Sequence, residues 1–126
     1  MTLKEEEILN QWLNEQLKAG LIVKSKSRYA APCFYIPKED SLLQLVQDYR
    51  KLNQVTMKDK TLLSLIREVI DKLKEVKYFN KLDLIWGYNN VWIKEGDKWK
   101  AAFLMNKGLF KPQVMYFGLC NSPETF

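Results

Sequence analysis

The sequence predicts an α+β fold, and three observations lead there. Two stretches carry apolar residues at helical spacing, near residues 3–18 and 64–73. Several short runs between them alternate apolar and polar residues and are bounded by turn-forming groups such as Glu95-Gly96-Asp97 and Asn106-Lys107-Gly108. With 126 residues, 47% of them hydrophobic, the chain can bury one modest core.

Taken in order, Thr2 and Glu5 have the spacing of a capping box. Ile8, Leu9, Trp12, Leu13 and Leu17 then form a stripe that stops near Gly20, so residues 3–18 are expected to be helical. Residues 33–37 and 42–47 read as two strands of a hairpin around Lys38-Glu39-Asp40-Ser41. Ser64 stands where it can cap a second helix, with Leu65, Ile66, Val69, Ile70 and Leu73 on one face. A strand is expected at 79–84 and a turn or helical stretch at 85–90. Strands near 91–94 and 98–103 are expected to pair with each other, and a further strand to run from 109 to 115. Ser122-Pro123-Glu124 reads as a helix start.

Composition narrows the chemistry. Lysine and arginine outnumber aspartate and glutamate by 20 to 15, a net charge of +5 that permits phosphate binding without requiring it. Histidine is absent, which excludes histidine bases and the usual Ser/His or Cys/His nucleophile pairs. Cys33 and Cys120 lie far apart and outside any zinc-type spacing, so a reducing intracellular compartment is expected. The N-terminus lacks the pattern of a signal peptide and no run is long enough for a membrane span, so a soluble protein, cytoplasmic or nuclear, is expected.

The densest chemical signal is Leu82-Asp83-Leu84 followed by Trp86-Gly87-Tyr88. On a strand, Leu82 and Leu84 would enter a core while Asp83 pointed to the other side, where a fixed carboxylate can ligate a metal. The alternative is that Asp83 only caps the following turn.

Context favours the first reading. Leu17-Lys18-Ala19-Gly20-Leu21-Ile22, Ala30-Ala31-Pro32, Val46-Gln47-Asp48-Tyr49-Arg50-Lys51-Leu52-Asn53, Phe79-Asn80-Lys81-Leu82-Asp83-Leu84, Trp86-Gly87-Tyr88, Ile93-Lys94-Glu95-Gly96-Asp97, Trp99-Lys100-Ala101-Ala102-Phe103 and Phe117-Gly118-Leu119 with Asn121-Ser122-Pro123 follow one another at characteristic spacing. In this order the chain resembles the fingers and proximal palm of reverse transcriptases from gypsy-type long-terminal-repeat retrotransposons. The resemblance implies a partial right-hand polymerase fold, with an N-terminal helical segment at 1–20 and a truncated reverse transcriptase domain at 21–126.

It also implies roles. Asp83 would be a catalytic Mg²⁺ ligand, and Tyr88 the steric gate that excludes a 2′-hydroxyl. The N–H groups of Trp86 and Gly87 would receive triphosphate oxygens, and Phe117 and Gly118 would line the pocket opposite. Lys38 is the nearby cation for an incoming dNTP. Lys24, Lys26 and Arg28, with Tyr29 beside them, would attract primer–template nucleic acid. Asp48 and Arg50, read as two apart on one strand, would form an ion pair that sets the fingers against the template.

Departures accompany the resemblance. Ser41 and Gln44 stand where the family has a turn glycine and a basic residue, and a neutral amide cannot replace guanidinium charge against a triphosphate. Ile85, Trp92 and Leu104 occupy positions where relatives commonly carry arginine, and Thr61-Leu62-Leu63-Ser64 replaces a tyrosine-and-proline segment. Two-metal transfer needs several carboxylates around ions about 4 Å apart, and the family supplies the others from a Tyr-x-Asp-Asp hairpin that does not occur in this sequence. Three readings stay open at this stage: part of a polymerase, a non-catalytic remnant with weak nucleic-acid affinity, or an interaction module that self-associates through an uncovered palm surface.

Overall fold

Thr2 opens the first element as expected. Its side chain accepts from the Glu5 N–H at 3.4 Å while its own N–H donates to Glu5 Oε2 at 2.6 Å, closing the capping box of helix α1, Leu3–Lys18. Gly20, at φ +72°, ends the helix in the left-handed region, and the Leu21 N–H reaches back to the Gln16 carbonyl. Leu9, Leu13 and Gln16 form the buried face of α1. The chain is described from a computed structural model that covers residues 2–37, 43–60 and 65–126.

Among the described residues five short strands follow: β1 Ile22–Lys24, β2 Cys33–Pro37, β3 Leu43–Gln47, β4 Phe103–Met105 and β5 Gly108–Pro112. They make two antiparallel sheets, one in the order β1-β5-β4 and the other the β2-β3 pair. Helices α2 Arg50–Val55, α3 Ile66–Leu73 and α4 Ser122–Thr125 and two 3-10 turns, Gly87–Asn90 and Lys98–Ala101, are the other elements among the described residues. In the larger sheet Ile22 faces Pro112 and Phe103 faces Phe110, and these two rings stack with centroids 6.3 Å apart. Leu9 and Leu13 from α1, with Ala31, Tyr49, Val114 and Tyr116, close the core around them. Each large apolar side chain removed from water here contributes about 1.5–3 kcal/mol.

Polar ties fix this packing. Tyr116 donates to Gln16 Oε1 at 2.6 Å, joining the end of the sheet region to α1, and Tyr49 donates to the Ala101 carbonyl at 2.9 Å. Burial raises the pKa of both phenols, so they stay protonated donors. Ala31 joins the segment before β2 to β4 through a parallel bridge to Phe103, with its N–H on the Ala102 carbonyl.

The β2–β3 hairpin, the turn at 87–90 and the helix start at Ser122 agree with expectation. The expected connection at 38–41 and the Ser64 cap lie outside the described residues, and α3 is present with Leu65 as its N-cap. Three readings are corrected. Residues 79–84 form no strand: Leu82 is 90% and Leu84 63% exposed, because no described segment pairs with this stretch or covers it. Residues 91–94 do not pair with 98–103. Ile93 donates to the Gln113 carbonyl and Met115 to that of Val91, so this stretch lies against 113–115, with an isolated bridge between Trp92 and Val114. Lys98 is drawn inward by Glu95 at 2.6 Å and Gln113 at 2.7 Å, which tightens 98–101 into a 3-10 turn.

The third correction concerns Asp48 and Arg50, which do not share a strand. Asp48 follows β3, and its Oδ1 accepts the Arg50 N–H at 3.2 Å, turning the chain directly into α2. Strand β1 and helix α2 carried no sequence expectation; three and six residues are too short for periodicity to register.

Candidate functional site

Asn53, on α2, organises the site. Its Nδ2 donates to the Gly118 carbonyl at 2.6 Å and its Oδ1 accepts the Cys120 N–H at 2.9 Å, so one amide clamps the 118–120 turn. Gly118 has φ +94°, and a Cβ there would meet the Gln47 carbonyl and the Tyr49 ring, each at 3.6 Å. Asn121 makes a matching clamp on the segment after α2, donating to the Met57 carbonyl at 2.8 Å and accepting the Asp59 N–H at 3.0 Å. The sequence offered Asn53 and Asn121 only as members of the motifs that carry the resemblance, with no role for either. Short amides in loops give no periodic signal, and their partners lie more than 60 residues away.

Against this turn stands Tyr88, half-buried, its ring edge-on to Phe117 at 4.8 Å and to Phe126 at 5.5 Å. Gly87 is confined from the same side, since a Cβ would come within 3.0 Å of Phe126 Cζ. Trp86 adopts the left-handed region at φ 51°, ψ 46°, a conformation that costs a bulky side chain about 1–2 kcal/mol. Among the described residues no acceptor takes the Trp86 or Gly87 N–H. Tyr88 thus meets Phe117, with Trp86 and Gly87 directly before it in the chain, and Gly118 rests against residues 47–53.

Asp48 and Arg50 form the expected ion pair. The Arg50 guanidinium is bidentate, with Nε at 2.8 Å from Oδ1 and the second nitrogen 2.6 Å from Oδ2. Hydrogen bonds from Arg50 lower the Asp48 pKa to about 2, and the Arg50 pKa is raised in turn. The guanidinium stem is open to solvent, with 85% of the side chain exposed.

Asp83 is exposed and makes no hydrogen bond or ion pair with the described residues. Among them, no group of three or more His, Cys, Asp or Glu could hold a metal ion. The described residues thus do not fit a two-Mg²⁺ centre by themselves. Burial pushes the Cys33 thiol up to about 12, which disfavours the thiolate.

The basic cluster divides. Lys26 and Arg28 line a recess of about 420 Å³ together with Ser25, Ser27, Trp99 and Lys111. Lys24 lies across from Phe110 in the β1–β5 register and does not line that recess. Tyr29, expected beside the cations, packs instead against the core and faces a larger cavity of about 1050 Å³ between α2 and residues 92–101. Lys38 lies outside the described residues. No helix among the described residues is long and apolar enough to cross a membrane.

A family model described as reverse transcriptase (RNA-dependent DNA polymerase) matches residues 36–126. The Transposon Tf2-3 polyprotein of Schizosaccharomyces pombe is 34% identical over 118 residues, which cover 94% of this chain and 9% of the polyprotein. The chain thus spans about a tenth of the length of the curated relatives it matches. Among solved structures, a foamy viral protease–reverse transcriptase (dRH) in complex with double-stranded DNA superposes with a TM-score of 0.85 at 25% identity, over 94% of this chain and 21% of that one. The prototype foamy virus protease–reverse transcriptase CSH mutant gives 0.85 at 23% identity, over 100% of this chain and 17% of that one, a likeness of fold. The chain belongs to the reverse transcriptase (RNA-dependent DNA polymerase) family.

Proposed function

We propose that these residues are the fingers and proximal palm of a gypsy-type retrotransposon reverse transcriptase, with α1 as an N-terminal helix ahead of a domain running from residue 21. In this reading they grip a primer–template and shape one wall of the dNTP pocket. The supporting observation is the meeting of Tyr88, Phe117 and Gly118 on the frame held by Asn53, four residues that span 53 to 118 in sequence. Tyr88, supported edge-on by Phe117, presents a rigid ring suited to discriminate at the sugar. The free N–H groups of Trp86 and Gly87 suit triphosphate oxygens. Arg50, held by Asp48, offers an oriented guanidinium for a nucleic-acid backbone. Lys24, Lys26 and Arg28 add positive charge on the same molecule, and Lys38 is the nearest cation on the N-terminal side of Gln44.

Asp83 supplies one carboxylate toward Mg²⁺ in this reading. One carboxylate does not make a two-metal site, so in this reading the further metal ligands come from outside the described residues. The retrotransposon kinship of the relatives also suggests an intracellular setting, cytoplasmic or nuclear.

A primer–template duplex binding titration against salt tests the reading. Affinity should fall as salt rises, through release of counterions from the duplex, and Asp83→Asn should leave it within about twofold, well under the tenfold that corresponds to about 1.4 kcal/mol. Binding that ignores salt would sink it.

A second reading has its own observation. Every residue from 65 to 86 is exposed, and Ile66, Val69, Ile70, Leu73, Phe79, Leu82 and Leu84 are among them. An apolar surface of that extent suits association with another chain.

A further inference from the structure

Trp99 and Lys111 are the residues that sequence left aside and the fold brings to the basic loop. The loop itself is fixed: Ser27 Oγ donates to the Trp99 carbonyl at 2.8 Å and accepts the Tyr29 N–H at 3.2 Å, while Ser25 Oγ accepts the Ser27 N–H at 3.1 Å. The 420 Å³ recess formed there is lined by Lys26, Arg28 and Lys111, by Ser25 and Ser27, and by Trp99. No ion pair engages Lys26, Arg28 or Lys111 among the described residues. Glu95 feels the charge of Lys111, but its carboxylate is already held by Lys98 at 2.6 Å. Trp99 is 46% exposed, with Lys100 Nζ 6.0 Å from its ring centroid.

Uncompensated cations beside hydroxyl groups select phosphate, and an exposed indole beside them selects a planar, unstacked base. A duplex offers phosphates but keeps its bases stacked on one another; a single strand offers both at the spacing of one nucleotide. We infer that this recess is a subsite for a single nucleic-acid strand, in which Lys26, Arg28 and Lys111 take backbone phosphate and Trp99 stacks one base. The subsite rests on the proposed function only in taking nucleic acid as the ligand. It adds two residues and a preference for unpaired strand.

The test uses the 126-residue chain, a labelled deoxythymidine dodecamer and a blunt duplex of equal length. Trp99→Ala should weaken binding of the single strand by roughly five- to a hundredfold, the range of one base–aromatic stack. Trp99→Phe should restore most of it, which separates stacking from damage to the fold. Lys111→Gln should lower the slope of log affinity against log salt by about 0.7 on the single strand. Blunt-duplex affinity should be unmoved by Trp99→Ala. Single-strand binding insensitive to Trp99→Ala, or equal losses on strand and duplex, would overturn the subsite. Loss of all duplex binding with the single-strand pattern intact would instead overturn the primer–template reading and leave the subsite standing.

Discussion

Asp48 shows how much a single residue sets locally. Its carboxylate turns the chain from β3 into α2 and at the same time fixes Arg50, whose hydrogen bonds hold the Asp48 pKa down to about 2. A folded-state pKa below the ordinary value near 4 means that the pair stabilises the fold fully above that value and loses its effect as pH falls toward 2. Wild type should therefore melt above Asp48→Asn at pH 5 and 6, and the gap should close between pH 4 and 2. Thermal melts across that range check it; a gap that stays constant would detach the shift from Arg50. At this scale the sequence was informative about pairing and wrong about geometry. Two residues at i and i+2 suggest one strand face, but an aspartate that bonds the N–H two residues on breaks the strand it would have belonged to.

Elements are joined by few but specific contacts, and Tyr116 with Gln16 is the clearest. Both are buried and 100 residues apart, so neither could be read as a partner from the sequence. Tyr116→Phe strands the Gln16 oxygen and should cost about 1–3 kcal/mol. Adding Gln16→Leu should recover part of that loss, because no buried acceptor is then left unpaired. Urea unfolding of the single and double variants makes the comparison, and a double variant less stable than the single one would contradict the tie. The elements themselves were legible where local chemistry decides them, as with the capping box of α1 and the β2–β3 pair. The 91–103 region was not, because Lys98 is pulled into a 3-10 turn by Gln113, a partner that only the fold supplies.

On the scale of the molecule, burial is uneven. The core gathers around Phe103, Phe110 and Ile22, whereas 65–86 is exposed throughout. That contrast explains why Leu82 and Leu84 misled: alternation reports which face a strand would bury, and says nothing of whether a neighbour exists to bury it. The same surface should make the chain associate with itself. Sedimentation at rising concentration should show reversible self-association, and Ile70→Lys with Leu73→Lys should reduce it; a monomer at every concentration would remove that reading. Family and fold were readable because the motifs run in fixed order along the chain. The clamps of Asn53 and Asn121, and the gathering of Trp99 and Lys111 at the basic loop, needed three dimensions.

The most direct test of the central claim is templated DNA synthesis by a graft in which the 118 matched residues replace the corresponding segment of the Tf2-3 polyprotein. With Mg²⁺, an RNA template and dNTPs, the graft should extend a primer, with a raised KM for dNTP because Gln44 lacks the charge of arginine. Asp83→Asn should abolish extension and leave duplex affinity unchanged. Extension that survives Asp83→Asn would contradict the claim, as would a folded, duplex-binding graft that incorporates nothing with Asp83 intact.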